Sequence, residues 1–286
     1  MIRQFRRSAL ASTAYLLALL LSLSVLNLPV LADERQERLQ IPFPANRNGE
    51  TVYLEGLLRM PDGRGPFPLA ILNHGTGARA KSQKPEDLDF LARWFLDRGW
   101  AAAMVMRRSF GKSGGLYYEA YSCPNPDYLK AGQKAAEDIR ASVLHLRDIP
   151  GIDGERIVLV GQSSGGWAVL AASAEAIPGV RGAVSFAGGR GGNPKGERNC
   201  PPEENLIEAG RRFGQSAKVP SLWIYAANDN LTPIDLMRRV QDAYAQGAGD
   251  SALRYYDDPR AGGHFVLRHP DYWGAELEAF LARVAK

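Results

Sequence analysis

The chain has 286 residues, enough for one large α/β domain or two small ones, and carries 35 basic against 31 acidic residues. Residues 1–32 hold three arginines and no acid, so the remainder stands at 32 basic against 31 acidic and gives no charge basis for binding nucleic acid or a membrane surface. Two cysteines are too few for a metal framework, and no metal or organic cofactor is implied, but they suffice for one disulfide.

In chain order, Arg3, Arg6 and Arg7 precede an apolar run from Ala9 to Leu28, and Val30-Leu31-Ala32 places small residues where a signal peptidase reads. This predicts a cleaved signal peptide over 1–32, a periplasmic or secreted protein and a single domain over 33–286. Retention of the segment as an anchor is the alternative. Arg38–Phe43 and Thr51–Arg59 alternate as half-buried antiparallel strands do. Leu69–Asn73 is a short apolar strand leading into His74-Gly75-Thr76-Gly77, and Pro85–Arg98 reads as a helix stopped by Gly99. Trp100–Met106 is the next strand. Tyr128–Arg147 follows as a helix with Ile139, Val143 and Leu146 on one face.

Arg156-Ile157-Val158-Leu159-Val160 is apolar throughout and too short for a helix, which suits a parallel strand buried on both faces. Gly161-Gln162-Ser163-Ser164-Gly165 comes next, then an alanine-rich helical run to Ser173. Strand, Gly-x-Ser-x-Gly and helix in succession is the setting in which that motif presents a nucleophile: the turn is tight enough to require both glycines, and it exposes the serine hydroxyl. Ser164 then offers a backbone N–H at a helix N-terminus, where negative charge is favoured. Gly111-Lys112-Ser113-Gly114-Gly115 fits the same pattern but leads into a loop, not a helix, and is read as flexible. It is no phosphate-binding loop either, because Met106 stands where that motif needs glycine.

Arg181–Ala187 is a strand opening into the glycine-rich loop Gly188–Gly196, read as a rim with no room for a large cap domain. Helices over 203–217, 233–246 and 270–284 and strands over 219–227 and 252–256 complete an α/β alternation. The fold is a mainly parallel sheet of about eight strands with helices on both faces, in which sites form at the carboxyl ends of strands.

A serine hydroxyl needs a base, and the base needs an orienting acid. Among the four histidines, His145 lies inside a helix, His269 begins the last one, and His74 ends a strand upstream of the serine. His264, in a glycine-flanked loop after the last strand, is the expected base. Asp229, directly after the strand 219–227, is the expected acid; Asp235 belongs to a helix, and Asp257 and Asp258 read as turn formers. Tyr117, Tyr118, Tyr121 and Trp167 are candidates to line an acyl pocket, with core packing as the competing reading.

The order Ser163, Asp229, His264 and the stretches Asn73-His74-Gly75-Thr76-Gly77, Arg107-Arg108-Ser109-Phe110-Gly111-Lys112-Ser113 and Asn228-Asp229-Asn230-Leu231-Thr232-Pro233 resemble the α/β-hydrolase superfamily, in its dienelactone-hydrolase-like and prolyl-oligopeptidase-like branches. The resemblance covers about residues 50–286. It implies Ser163, Asp229 and His264 as the catalytic set, backbone N–H groups of Thr76 and Ser164 as the oxyanion hole, and a structural His74. Dienelactone hydrolase itself carries a cysteine nucleophile, so with Ser163 the expectation is ester hydrolysis on a small-molecule ester or short peptide. A serine peptidase and a catalytically silent binding protein of the same fold are the alternatives. The strand order usual in the superfamily places the loops holding Cys123 and Cys200 on opposite sides of the serine strand, and implies a disulfide across the mouth of the site.

Overall fold

The structure, a computed structural model, describes residues 35–44, 49–77, 79–191, 200, 202–248, 250–257 and 262–286. The segment expected to be a signal peptide, Asp258 and residues 192–199 of the stretch read as a rim loop lie outside these. Residues 34–286 form one compact unit.

Eight strands, β1 (Arg35–Phe43), β2 (Val52–Met60), β3 (Phe67–Asn73), β4 (Ala101–Val105), β5 (Ile152–Gln162), β6 (Val180–Phe186), β7 (Ser221–Ala226) and β8 (Ser251–Tyr256), form one sheet in the order β1-β2-β4-β3-β5-β6-β7-β8. The β1–β2 and β2–β4 pairings are antiparallel, and the others are parallel. The helices are α1 (Asp89–Leu96), α2 (Tyr128–Leu146), α3 (Ser164–Ser173), α4 (Glu204–Ser216), α5 (Ile234–Ala248) and α6 (Pro270–Val284). This is the α/β-hydrolase architecture, with an open sheet covered on both sides.

Period-two alternation along the central strands divides the core between the two faces. Leu69 and Ile71 of β3 and Ile157 and Leu159 of β5 pack with α2, α3, α4 and α5. Ala70 and Leu72, with Val158 and Val160, pack with α1 and α6. Strands walled on both sides need apolar residues at every position, which is why these segments read as continuous hydrophobic runs.

Strand β2 departs from the half-buried alternation. Leu54 to Met60 are all buried, because Leu54, Leu58 and Met60 join the core on one face of the sheet and Leu57 joins the core on the other. Its polar positions are buried and each has a partner: Arg59 pairs with the partly exposed Asp89 at the start of α1, and Glu55 Oε2 accepts the backbone N–H of Lys112 at 2.8 Å. The helix predicted over 85–98 begins instead as a 3-10 turn, Pro85–Leu88, where the Asp87 carboxylate accepts the Lys84 backbone N–H at 3.0 Å; α-helix starts only at Asp89.

The second Gly-x-Ser-x-Gly segment is pinned, not flexible. The buried Ser113 hydroxyl donates to Met106 O at 2.7 Å and accepts from Glu55 N at 2.8 Å, and Gly114 N donates to Tyr53 O at 3.0 Å. Ser113→Ala leaves two buried backbone groups without partners. It is expected to lower unfolding free energy by about 2–6 kcal/mol, at about 1–3 kcal/mol for each orphaned group, while activity per folded molecule stays near wild type. Urea unfolding beside initial-rate assays checks both halves.

Candidate active site

Ser163 stands between the end of β5 and the first turn of α3 with φ 55° and ψ −122°, a conformation that L-residues adopt rarely and at a cost of about 1–3 kcal/mol. The surroundings enforce it. Ser163 N donates to Phe186 O at 2.9 Å on the neighbouring strand, and Ser163 O accepts from Trp167 N at 3.0 Å and Gly189 N at 3.2 Å. Gly161 and Gly165 are needed for the reason the sequence suggests: a Cβ on Gly161 would overlap the carbonyl of Gly165, and one on Gly165 would overlap the carbonyls of Asn73 and His74. The strained backbone thus holds a half-buried serine at a strand end, over the positive end of α3.

Asp229 follows β7 in a tight turn of its own. Its Oδ1 accepts the backbone N–H groups of Leu231 at 2.8 Å and Thr232 at 3.1 Å, and its Oδ2 accepts the Thr232 hydroxyl. Oδ2 also accepts from His264 Nδ1 at 2.8 Å. A carboxylate can only accept, so the proton sits on Nδ1 and the lone pair of Nε2 is left free. His264 lies in a 3-10 turn, Gly263–Arg268, where a plain loop was expected. Its carbonyl accepts from Gln162 Nε2 at 3.3 Å, which brings the turn against the residue preceding Ser163. No hydrogen bond joins Ser163 to His264 among the described residues; such contacts commonly tighten only when substrate binds.

On the other side of Ser163, the segment after β3 comes close: a Cβ on Gly75 would stand 3.0 Å from Ser163 Cβ. Thr76 Oγ1 donates to Ser164 Oγ at 2.7 Å, so the two residues expected to form the oxyanion hole are joined by their side chains. His74 is buried, its Nδ1 bonded to Gly75 O at 2.8 Å and its Nε2 accepting Arg107 N at 3.1 Å. Burial, reinforced by the Arg107 guanidinium, pushes its pKa down to about 3, so the ring is neutral at pH 7.

That shift carries a stability consequence. Below an unfolded value near 6.5 the unfolded chain takes up a proton that the native His74 refuses until about pH 3. His74 therefore contributes stability above pH 6.5 that is lost as pH falls toward 3, with a slope of up to about 1.4 kcal/mol per pH unit. Urea unfolding at pH 6.5 and 4.5 should show wild type losing more stability than His74→Gln; equal losses would contradict this account.

Sequence reading did not find the ionic cluster behind this corner. Arg107, fully buried just after β4, donates from Nε to Glu119 Oε1 at 2.6 Å, and Glu119 also pairs with buried Arg190 beyond β6. Burial alone would raise the Glu119 pKa, but the two arginines more than offset it and hold it at about 2. An arginine pair directly after an apolar strand was the available signal; partners 12 and 71 residues away along the chain from Glu119 were not.

Cys123 and Cys200 are joined by a disulfide, Cα–Cα 5.7 Å, between the loops after β4 and β6, which flank the β3–β5 pair. With a sequence separation of 77, the bridge is expected to restrain the unfolded chain by about 4 kcal/mol. Denaturant titrations with and without reductant measure this, and a shift under about 1 kcal/mol would contradict it. Of the pocket candidates, Trp167 is wholly buried against Phe213, its Nε1 donating to Tyr128 O at 3.0 Å, and belongs to the core. The Tyr121 hydroxyl accepts from Gly191 N at 2.9 Å. Tyr117 and Tyr118 are exposed on the rim.

The family model for the dienelactone hydrolase family matches residues 125–276. The quorum-quenching protein AidA of Acinetobacter baumannii is 27% identical over 135 residues, which is 47% of this chain but only 40% of that protein, so the match spans two fifths of the relative's length. An esterase of Pyrococcus furiosus superimposes with a TM-score of 0.64 at 18% identity, covering 88% of this chain and 92% of that one. An acetyl xylan esterase from a Paenibacillus species does so at 0.55 and 18%, covering 86% and 89%. At these identities the structural likeness is one of fold. The family match spans more than half of the chain, from the start of α2 through the elbow, Asp229 and His264 into α6: the chain belongs to the dienelactone hydrolase family.

Proposed function

We propose that the protein is an exported serine esterase acting through an acyl-enzyme. The observation that carries this reading is the His264 Nδ1–Asp229 Oδ2 bond at 2.8 Å, together with a strained Ser163 at the end of β5 whose preceding residue, Gln162, bonds the His264 carbonyl. Ser163 Oγ attacks the ester carbonyl carbon while His264 Nε2 takes its proton, and Asp229 stabilises the imidazolium that forms. The negative charge that develops on the carbonyl oxygen is taken by the backbone N–H groups of Thr76 and Ser164, a contribution of about 3 kcal/mol per donor. His264 returns its proton to the leaving alcohol. Water, deprotonated by the same histidine, then adds to the acyl carbon, and collapse frees the carboxylic acid and Ser163. The family's description, hydrolysis of a lactone, supports ester chemistry, since a lactone is a cyclic ester. The disulfide supports export, because such bonds persist in oxidising compartments.

A fluorophosphonate probe should label Ser163 in the folded protein, with turnover of p-nitrophenyl esters and little of peptide anilides. Labelling with the opposite preference would favour a peptidase. No labelling at all would favour a binding protein on the same fold.

A further inference from the structure

We propose that Arg107 is the positioning residue of the oxyanion hole, a role that rests on the serine-esterase reading above. The two segments that would supply the hole come from different strand ends, residues 74–76 after β3 and Ser164 after β5, and their N–H groups stabilise an oxyanion only if both point at one spot. Arg107 touches both. Its Nη1 donates to His74 O at 2.7 Å, its backbone N–H donates to the His74 ring at 3.1 Å, and its Nη2 donates to Ser164 Oγ at 3.2 Å. Ser164 Oγ is also the atom that Thr76 Oγ1 meets, so Arg107, Ser164 and Thr76 form one continuous string.

The guanidinium is itself held rigid. Glu119 takes Nε at 2.6 Å and Nη2 at 3.4 Å, Arg190 holds the same carboxylate, and all three side chains are shielded from water. Two arginines against one glutamate leave a net positive charge at the back of the hole, where low dielectric lets it favour the growing negative charge. A fork of fixed donors can hold the His74 carbonyl and the Ser164 hydroxyl at a set angle, which a lysine cannot do. Phe110, 4.4 Å from the His74 ring between centroids, closes the corner on the remaining side.

The test compares wild type, Arg107→Gln and Ser164→Ala for kcat, KM, thermal midpoint and affinity for an alkylboronic acid, whose tetrahedral adduct on the nucleophile mimics the transition state. Arg107→Gln is expected to lower kcat and boronate affinity in parallel by about 30–100-fold with KM within about threefold, short of the 10²–10³-fold typical of deleting a donor outright. Ser164→Ala keeps the backbone donor but cuts the string, and is expected to stay folded, with a somewhat lower thermal midpoint, and to lose about tenfold in both readouts. It decides the matter if Arg107→Gln does not fold. A folded variant that retains kcat and boronate affinity within twofold overturns the proposal. Wild type unreactive toward fluorophosphonate would instead overturn the serine-esterase reading, so the two failures are separable.

Discussion

Ser163→Ala is expected to fold as wild type does and to lose about five to six orders of magnitude in ester hydrolysis. The hydroxyl makes no hydrogen bond among the described residues, so its removal orphans nothing, while the covalent route disappears with it. Alanine keeps the Cβ and therefore the backbone strain at φ 55°. Ser163→Gly removes that strain as well and should be more stable than either, by about 1 kcal/mol. Urea unfolding of the three proteins beside an ester assay checks both statements. Retention of more than about one per cent of activity in Ser163→Ala would place the nucleophile elsewhere; Ser113, buried and committed to Met106 and Glu55, could not take the role.

His264→Ala and Asp229→Asn should each lose about four orders of magnitude or more in kcat, and the double variant should lose little beyond the worse single one, because the groups act as a unit. The structure gives the reason for the Asp229 effect. Oδ1 receives two backbone N–H groups, so an asparagine must turn its carbonyl there and present its NH2 toward His264. An NH2 cannot accept from Nδ1–H, so the imidazole proton moves to Nε2 and the lone pair that takes the serine proton is lost. Losses that multiply in the double variant would mean that the two residues do not share one step.

The sequence by itself determined the strands, the helices and the chemistry-bearing types. Buried strands between helices must be apolar at every position, so β3, β4 and β5 were legible as short hydrophobic runs. Gly161 and Gly165 announced the elbow because no other residue fits beside the carbonyls they touch. Periodicity misjudged β2, whose polar residues alternate as if toward water; only the assembled sheet shows Glu55 and Arg59 buried and paired with Lys112 and Asp89. The serine of the second motif became structural for the same reason, since its two backbone partners belong to residues 7 and 58 positions away. Arg107, Glu119 and Arg190 form a cluster only once the loops after β4 and β6 converge behind Ser164. Local patterns encode what each segment buries; which buried charge answers which is decided by contacts between distant segments, and these exist only in the folded chain.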